Sequence, residues 1–183
     1  MKKTLIFNGS PRSNGDTASL IRILIEKLEG EFEIVNCYEA DISPCIDCRE
    51  CREIDDCAIN DDMQKIYDYL NECDNVVIAS PIYFSQPTGK LLDVVSRFQR
   101  YFSQTYFKKK RPFLKAKKGG IILVGGGNGN CDSAYKTVVG IMKMINVTSF
   151  APLVKSHSTD TIPALNDQNA MESLLNLAEY LNI

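Results

Sequence analysis

Tryptophan is absent from this 183-residue sequence, and histidine occurs once, at position 157. A single histidine excludes a mechanism built on a histidine pair and a metal site made mainly of imidazoles. An excess of one charge is also missing, since 21 lysines and arginines stand against 23 aspartates and glutamates, for a net charge of -2. This balance argues against a nucleic-acid partner, because proteins that bind phosphate backbones are markedly basic.

Long apolar runs are missing too. The longest are short segments such as residues 76–79 and 121–124, whereas a helix that spans a bilayer needs about 20 apolar residues. The opening Met1-Lys2-Lys3 has the charge of a signal peptide, but the apolar stretch behind it covers only residues 5–7. A secretory signal needs roughly 7 or more apolar residues. We therefore expect a soluble, cytoplasmic protein with no membrane partner.

Short apolar segments alternate with longer segments whose apolar residues recur at helical spacing. The predicted strands are residues 4–7, 32–37, 76–80, 120–124 and, more weakly, 147–153, and the predicted helices are 17–28, 63–73, 90–102, 134–145 and 167–181. Strands that are apolar on both faces predict a parallel sheet covered by helices on both sides. Five strand–helix units favour an open, doubly wound α/β sheet of five strands in one domain, residues 1–183, because a closed eight-unit barrel needs about 250 residues.

Ligands bind such sheets beyond the carboxyl ends of the strands, so the loops that follow the strands hold the candidate binding residues. The loop after the first strand offers hydroxyls, an amide and a guanidinium directly before a helix, from Ser10, Arg12, Ser13, Asn14 and Thr17. These groups and the helix N-terminus suit a phosphate. The loop matches neither a Walker A motif nor a dinucleotide fingerprint, so a monophosphate fits best. The alternative is a turn with an ordinary helix cap.

Two further loops complete the predicted site. The third strand is followed by an apolar, aromatic segment that could support a flat heterocycle, made of Pro81, Ile82, Tyr83 and Phe84. The fourth strand is followed by a glycine-rich loop that lets a ligand approach the backbone, with Gly126, Gly127 and Asn128 as its candidate contacts. Taken singly, the first could equally be core and the second a flexible turn.

Seven cysteines are present, and four of them crowd into one segment as C-x₂-C-x₂-C-x₅-C: Cys45, Cys48, Cys51 and Cys57. Such compact spacing favours an iron–sulfur cluster over zinc, whose ligands usually form two separated pairs. Free or redox-active thiols are the alternative. Cys37, Cys73 and Cys131 are most simply small apolar residues. The lysine-rich segment 108–118 and His157 are expected to be solvated loop residues, although the lysines could also steer an anionic partner toward the site.

The residues of these loops, together with Asp61-Asp62-Met63, give the chain a sequence that resembles the flavodoxin-like FMN-binding proteins over roughly residues 1–150. The resemblance is to the branch of NADPH-dependent FMN reductases and iron–sulfur flavoproteins. It implies that Ser10, Arg12, Asn14 and Thr17 hold the FMN phosphate, that Pro81–Phe84 support the flavin ring, and that Gly126, Gly127 and Asn128 wall its other side. It also implies a homodimer, and a 4Fe–4S cluster on the cysteines of residues 45–57, a loop inserted after the second strand.

We therefore expect an FMN-dependent oxidoreductase in which the flavin, not a protein side chain, carries the chemistry. Electrons would pass from NAD(P)H or a ferredoxin-like donor, through the cluster, to a small-molecule or protein acceptor. The first alternative is a cluster-free NAD(P)H-dependent FMN or quinone reductase. An electron-transfer module without turnover is a second alternative, and a zinc-stabilised interaction domain is a third.

Overall fold

The computed structural model describes residues 1–110 and 114–183. Its strands are β1 Lys3–Asn8, β2 Glu31–Asn36, β3 Asn75–Tyr83, β4 Gln86–Pro87, β5 Lys117–Val124, β6 Val147–Phe150 and β7 Val154–Ser156. Its helices are α1 Asp16–Lys27, α2 Met63–Glu72, α3 Gly89–Ser96, α4 Gln99–Tyr106, α5 Asp132–Met144 and α6 Gln168–Asn182. Two short 3₁₀ turns, Glu50–Arg52 and Ala164–Asn166, lie in the connections.

The strands form a parallel sheet in the order β2-β1-β3-β5-β6. Two short strands extend it, because β7 pairs parallel with the end of β5 and β4 pairs antiparallel with the end of β3. The order reverses beside β1, as it does in the flavodoxin-like doubly wound fold, and such a reversal places the ligand crevice at the carboxyl ends of β1 and β3. The predicted fold class is confirmed.

The core lies in two layers, one on each face of the sheet. Alternate residues of β1 point to opposite sides, so Leu5 and Phe7 join the layer under α2, α3 and α5, while Ile6 joins the layer under α1 and α6. Because both faces are apolar, the strands must be covered twice. None of the helices within the described ranges is long and apolar enough to cross a membrane.

Two predicted elements differ from those in the structure. The helix expected over residues 90–102 is interrupted after Ser96, where the N–H groups of Arg97 and Phe98 bond to carbonyls three residues back rather than four. Phe102, expected on a buried stripe, is 42% exposed as a result. The strand expected over residues 147–153 ends at Phe150, before Pro152, which has no N–H to give to a sheet, and the sequence does not predict β7 at residues 154–156.

The expected solvation of the basic segment and of His157 is wrong in part. Lys117 is buried in β5, and this burial lowers the pKa of its ammonium group. Lys108 and Lys110 bind the carboxylate of Asp55, while Arg111 of the same segment falls outside the described residues. His157 is half-buried, and its Nδ1 is enclosed without a hydrogen-bond partner in the described part of the chain.

A test of the packing at the start of the sheet is the substitution Gly30→Ala. Gly30 joins α1 to β2 with a φ of 105°, and a Cβ there would lie 2.3 Å from the carbonyl oxygen of Lys2. We expect the free energy of unfolding to fall by about 1–3 kcal/mol, because alanine disfavours this conformation and clashes with backbone. Gly140→Ala is the control, since nothing lies within 4 Å of its Cβ position. Equal melting temperatures for the two variants would contradict this account.

Candidate functional site

A cavity of about 150 Å³ opens at the carboxyl ends of β1, β3 and β5. Three loops meet there, and the predicted residues in its lining are Ser10, Arg12, Thr17, Pro81, Ile82, Tyr83 and Gly126. Residues far apart in the chain therefore form one wall, as expected from parallel strands that end at the same edge.

The other predicted residues are not part of this lining. Ser13 faces a neighbouring cavity of about 200 Å³ on the other side of the first loop. Phe84 lies at the turn between β3 and β4, fully exposed and with a φ of 51°. Asn14, Gly127 and Asn128 lie on the predicted loops, outside the lining.

The first loop presents an anion-binding geometry. Helix α1 begins after Gly15 without a side-chain cap, so among residues 1–110 and 114–183 the N–H groups of its first turn have no side-chain acceptor. Arg12 lies beside these groups in the cavity wall, and Thr17 is buried in the first turn. Asp16 also lines the cavity, and its carboxylate accepts the N–H of Ala164 at 2.7 Å. The end of α1 thus suits a phosphate group.

Buried hydrogen bonds fix the first loop against the end of β3. The Ser80 hydroxyl accepts the N–H of Thr88 at 3.1 Å, and the Thr88 hydroxyl donates to the carbonyl of Gly9 at 2.7 Å. Ser80 and Thr88 are both fully buried. The β3–β4 hairpin is also joined to α5, because Gln86 donates to Ser133 at 2.6 Å. The loops that line the cavity are therefore held in place before any ligand binds.

Sequence reasoning missed the segment 158–160 as part of the site. Its backbone N–H groups donate to carbonyls of the glycine loop, with bonds of 2.9–3.2 Å from Ser158, Thr159 and Asp160. Thr159 and Asp160 also line the cavity. The signal that could have revealed them is Pro152, because a break there makes residues 154–156 a separate strand that ends at the same sheet edge. A Cβ at Gly126 would lie 2.7 Å from the Asp160 carboxylate, so a larger residue there would displace this exposed side chain.

A second cavity, of about 390 Å³, lies between α4 and the four-cysteine loop, which we define as residues 45–57. All four cysteines of the loop line this cavity. Cys45 and Cys48 are exposed, while Cys51 and Cys57 are half-buried. Within residues 1–110 and 114–183, no three side chains of the metal-binding types are placed to hold an ion. The thiols therefore share one cavity without converging on one point.

The donor chemistry of this cavity suits an iron–sulfur cluster, whose usual ligands are four cysteine thiolates. The Cys51 thiol donates to the Ser103 hydroxyl at 3.2 Å, and the backbone N–H of Cys45 donates to Ser96 at 2.9 Å. The three cysteines outside the loop, Cys37, Cys73 and Cys131, are buried. Burial raises the pKa of Cys37 to about 12 and that of Cys73 to about 11, so these thiols stay protonated at neutral pH.

Cationic side chains at the junction of α3 and α4, and just after α4, hold the segment that contains the four-cysteine loop. Arg97 is fully buried and forms an ion pair with Asp61 at 2.6 Å. Burial by itself would raise the pKa of Asp61, but the hydrogen bonds from Arg97 and two backbone N–H groups outweigh it and keep the pKa below its ordinary value. Arg100 pairs with Asp56 at 2.7 Å, and hydrogen bonds from Lys108 and Lys110 lower the pKa of Asp55.

The cavity wall also carries unused donors. Arg97 and Arg100 both line the cavity, and the buried Nε of each finds no hydrogen-bond partner in the portion of the chain that is described. A buried donor without a partner is destabilising, and buried polar groups in native proteins are nearly always satisfied. Both guanidinium groups are paired with carboxylates, Arg97 with Asp61 and Arg100 with Asp56, and they lie beside the four thiols in the cavity wall.

The sequence of this chain is similar to those of known flavin proteins. The model of the family described as NADPH-dependent FMN reductase matches residues 2–158. An iron–sulfur flavoprotein of Methanocaldococcus jannaschii is 30% identical over 131 residues, which cover 67% of this chain and 62% of that protein. One from Methanosarcina thermophila is 29% identical over 135 residues, covering 72% of this chain and 68% of that protein. The matched segment thus spans less than two thirds of the length of the first relative and about two thirds of the second.

Solved structures show the same fold. A crystal structure of an NADH:FMN oxidoreductase in its apo form has a TM-score of 0.70 at 14% identity, covering 100% of this chain and 89% of that one. An FMN-dependent NADH-azoreductase from Bacillus anthracis, in complex with FMN, has a TM-score of 0.70 at 17% identity and covers 100% of both chains. At these identities the likeness establishes a flavodoxin-like architecture.

Proposed function

The chain belongs to the NADPH-dependent FMN reductase family, and from that premise we propose that it is an FMN-dependent oxidoreductase. It takes electrons from a reduced donor, NAD(P)H or a ferredoxin-like protein, and passes them to an acceptor through a 4Fe–4S cluster. The observation that carries the proposal is the meeting of three loops at one cavity beside the uncapped N-terminus of α1. The names of the iron–sulfur flavoprotein relatives support the cluster.

In this proposal the first loop binds the phosphate of FMN through Ser10, Arg12 and Thr17, with the N–H groups of α1. Pro81–Tyr83 support the ring, and Gly126 allows its close approach. The enclosed volume of about 150 Å³ is below the roughly 300–1,000 Å³ of a complete ligand pocket. The cavity therefore takes the phosphate end, while the ring lies over the open edge. Ser13, Asn14, Phe84, Gly127 and Asn128, which lie on the same loops, remain proposed contacts of the outer rim.

FMN, when bound, supplies a ring that takes up two electrons as hydride and releases them singly. The residues of the chain bind and orient it, and the rigid contacts of Ser80 and Thr88 keep the ring support in register with the phosphate loop. No acid or base from the protein is needed for hydride uptake. This agrees with a sequence that has a single histidine.

Cys45, Cys48, Cys51 and Cys57 are the proposed cluster ligands, on the basis of their spacing, their shared cavity and the two arginines in its wall. The second candidate is a cluster-free NAD(P)H-dependent FMN or quinone reductase. One observation favours it: among the described residues, no three ligand side chains converge. From the sequence resemblance we also propose a cytoplasmic homodimer, which light scattering of the purified protein tests.

The phosphate assignment predicts that Arg12→Ala weakens FMN binding. Loss of a hydrogen bond to a charged group removes ~1.5–3 kcal/mol, which corresponds to a Kd increase of roughly 10–150-fold. Flavin fluorescence during titration of the apoprotein measures this change. Lys27→Ala is the matched control, because it removes an exposed positive charge from the opposite end of α1. A Kd that Arg12→Ala leaves unchanged would place the phosphate elsewhere.

Turnover separates the proposed enzyme from an electron carrier. We expect the FMN-loaded protein to oxidise NADH or NADPH continuously when an electron acceptor is present in excess. A single reduction without further consumption of either nucleotide would indicate a module without turnover, and no reduction at all would indicate a different donor, such as a ferredoxin-like protein. Repeating the assay with a reduced ferredoxin distinguishes these two cases.

A further inference from the structure

We propose that Arg97 is a positioning residue that sets the geometry of the four-cysteine loop, a role that rests on the proposed cluster function. The guanidinium of Arg97 contacts both ends of this loop. It donates to the carbonyl of Ser43 at 2.9 Å and to the carbonyl of Ile59 at 3.0 Å. Ser43 lies two residues before Cys45, and Ile59 lies two residues after Cys57. One buried side chain therefore joins the two points where the loop leaves the body of the protein.

The guanidinium is itself fixed by its surroundings. It donates to Asp61 at 2.6 Å, and the same carboxylate accepts the N–H of Ser43 at 3.0 Å and the N–H of Met63 at 3.1 Å. The hydroxyl of Tyr67 donates to the backbone carbonyl of Arg97 at 2.9 Å. The start of α2, the end of α3 and both ends of the loop thus depend on a single ion pair.

A stabilising role alone does not explain a charge at this position. A buried ion pair is on average no more stabilising than an apolar pair of the same size, because both charges must leave water. Arginine instead offers a planar fork of five N–H donors that can reach acceptors on two sides at once. A lysine ammonium donates from a single atom and cannot span the two carbonyls in the same way. The geometry therefore accounts for arginine here.

The position of Arg97 matters because ligand sites demand precise placement. Cluster ligands must be held within about 0.5 Å of their working positions, which requires support from surrounding residues. Fixing both ends of a flexible segment reduces the entropy that is lost when its cysteines gather around one centre. Arg97 also lines the cysteine cavity, so its ion pair with Asp61 lies beside the thiols that it helps to place. The same residue thus joins both ends of the loop and forms part of the cavity that the cysteines line.

The test compares Arg97→Lys with the wild type and with Arg49→Lys. Arg49 lies in the same loop, but it is exposed and pairs only with the neighbouring Asp47 among the described residues. The first measurement is amide hydrogen exchange of the FMN-loaded, iron-free proteins. In Arg97→Lys we expect the amides of residues 43–61 to exchange about tenfold faster, with α5 and α6 unchanged. The second is the rate at which a chelator extracts iron after anaerobic reconstitution, which we expect to rise about tenfold as well. Arg49→Lys should match the wild type in both.

The proposal is overturned if Arg97→Lys exchanges like the wild type across residues 43–61. It is also overturned if exchange accelerates equally throughout the sheet, because that result would indicate general destabilisation. Failure of the proposed cluster can be told apart from failure of this role for Arg97, because a wild-type protein that binds no iron rejects the cluster alone. The exchange measurement then still decides whether Arg97 positions the loop.

Discussion

Replacing Cys51 with serine should abolish bound iron while FMN stays in place. Cys51 is the third of the four cysteines in the C-x₂-C-x₂-C-x₅-C motif, and its half-buried thiol donates to the Ser103 hydroxyl at 3.2 Å. A serine hydroxyl is a far weaker ligand for iron than a thiolate, so removal of one of four ligands should leave no stable 4Fe–4S cluster. The FMN loops share no lining residue with the cysteine cavity, so flavin content should be unaffected.

The measurement is iron and flavin content per polypeptide after anaerobic purification. Cys73→Ala is the matched control, because Cys73 is a buried cysteine outside the four-cysteine loop. Its variant should lose some stability through the cavity it creates, but it should keep its iron. Full iron content in Cys51→Ser would reject the ligand assignment. Loss of flavin together with iron would indicate that the two cavities are coupled.

A large loss of stability is expected for Asp61→Asn. The substitution leaves the fully buried guanidinium of Arg97 without a counter-charge, and breaking a buried ion pair in this way is destabilising by about 3–5 kcal/mol. Thermal unfolding should move down by roughly 6–20 °C, from the usual shift per kcal/mol for a protein of this size. Asp62→Asn is the control, since Asp62 is half-exposed and pairs only with Lys65 in the described structure. It should leave the melting temperature nearly unchanged.

The Asp61 pair also predicts how stability depends on pH. The pKa of Asp61 is lower in the folded protein than in the unfolded chain, where it is about 3.9. The ion pair therefore contributes fully above that value, and its contribution is lost as the pH falls through the folded pKa. In denaturant titrations, the difference in the free energy of unfolding between the wild type and Asp61→Asn should be constant near neutral pH and should shrink in acid. A difference that grows in acid would contradict the assignment.

Much of the fold follows from local sequence patterns. The paired strands are predictable because β1, β3 and β5 are apolar on both faces, and α6 is predictable because Asp167 caps it by accepting the N–H of Ala170. The division between α3 and α4 is not predictable, because the apolar stripe continues through Phe98 and no glycine or proline marks the break. The helix ends where the tertiary contacts of Arg97 hold the chain, and such contacts are invisible in a one-dimensional pattern.

The candidate site is likewise predictable from the sequence only in part. Ser10, Arg12 and Thr17 are predictable because a polar loop between a strand and a helix has a known geometry at the sheet edge. Thr159 and Asp160 reach the cavity only through the pairing of β7 with β5, which depends on a three-residue strand. For the cysteines, the spacing predicts a ligand set. It does not predict that Arg97 and Arg100, at least 40 residues later in the chain, line the same cavity.

The most direct test of the proposed function is the absorption spectrum of protein purified without air, recorded before and after addition of dithionite. We expect the bands of bound flavin on a broad visible shoulder, with both bleached on reduction, because FMN and a 4Fe–4S cluster would be present together. Flavin bands without the shoulder would reject the cluster and leave the cluster-free reductase. A colourless protein that also binds no added FMN would contradict the central claim that this chain is a flavin-dependent oxidoreductase.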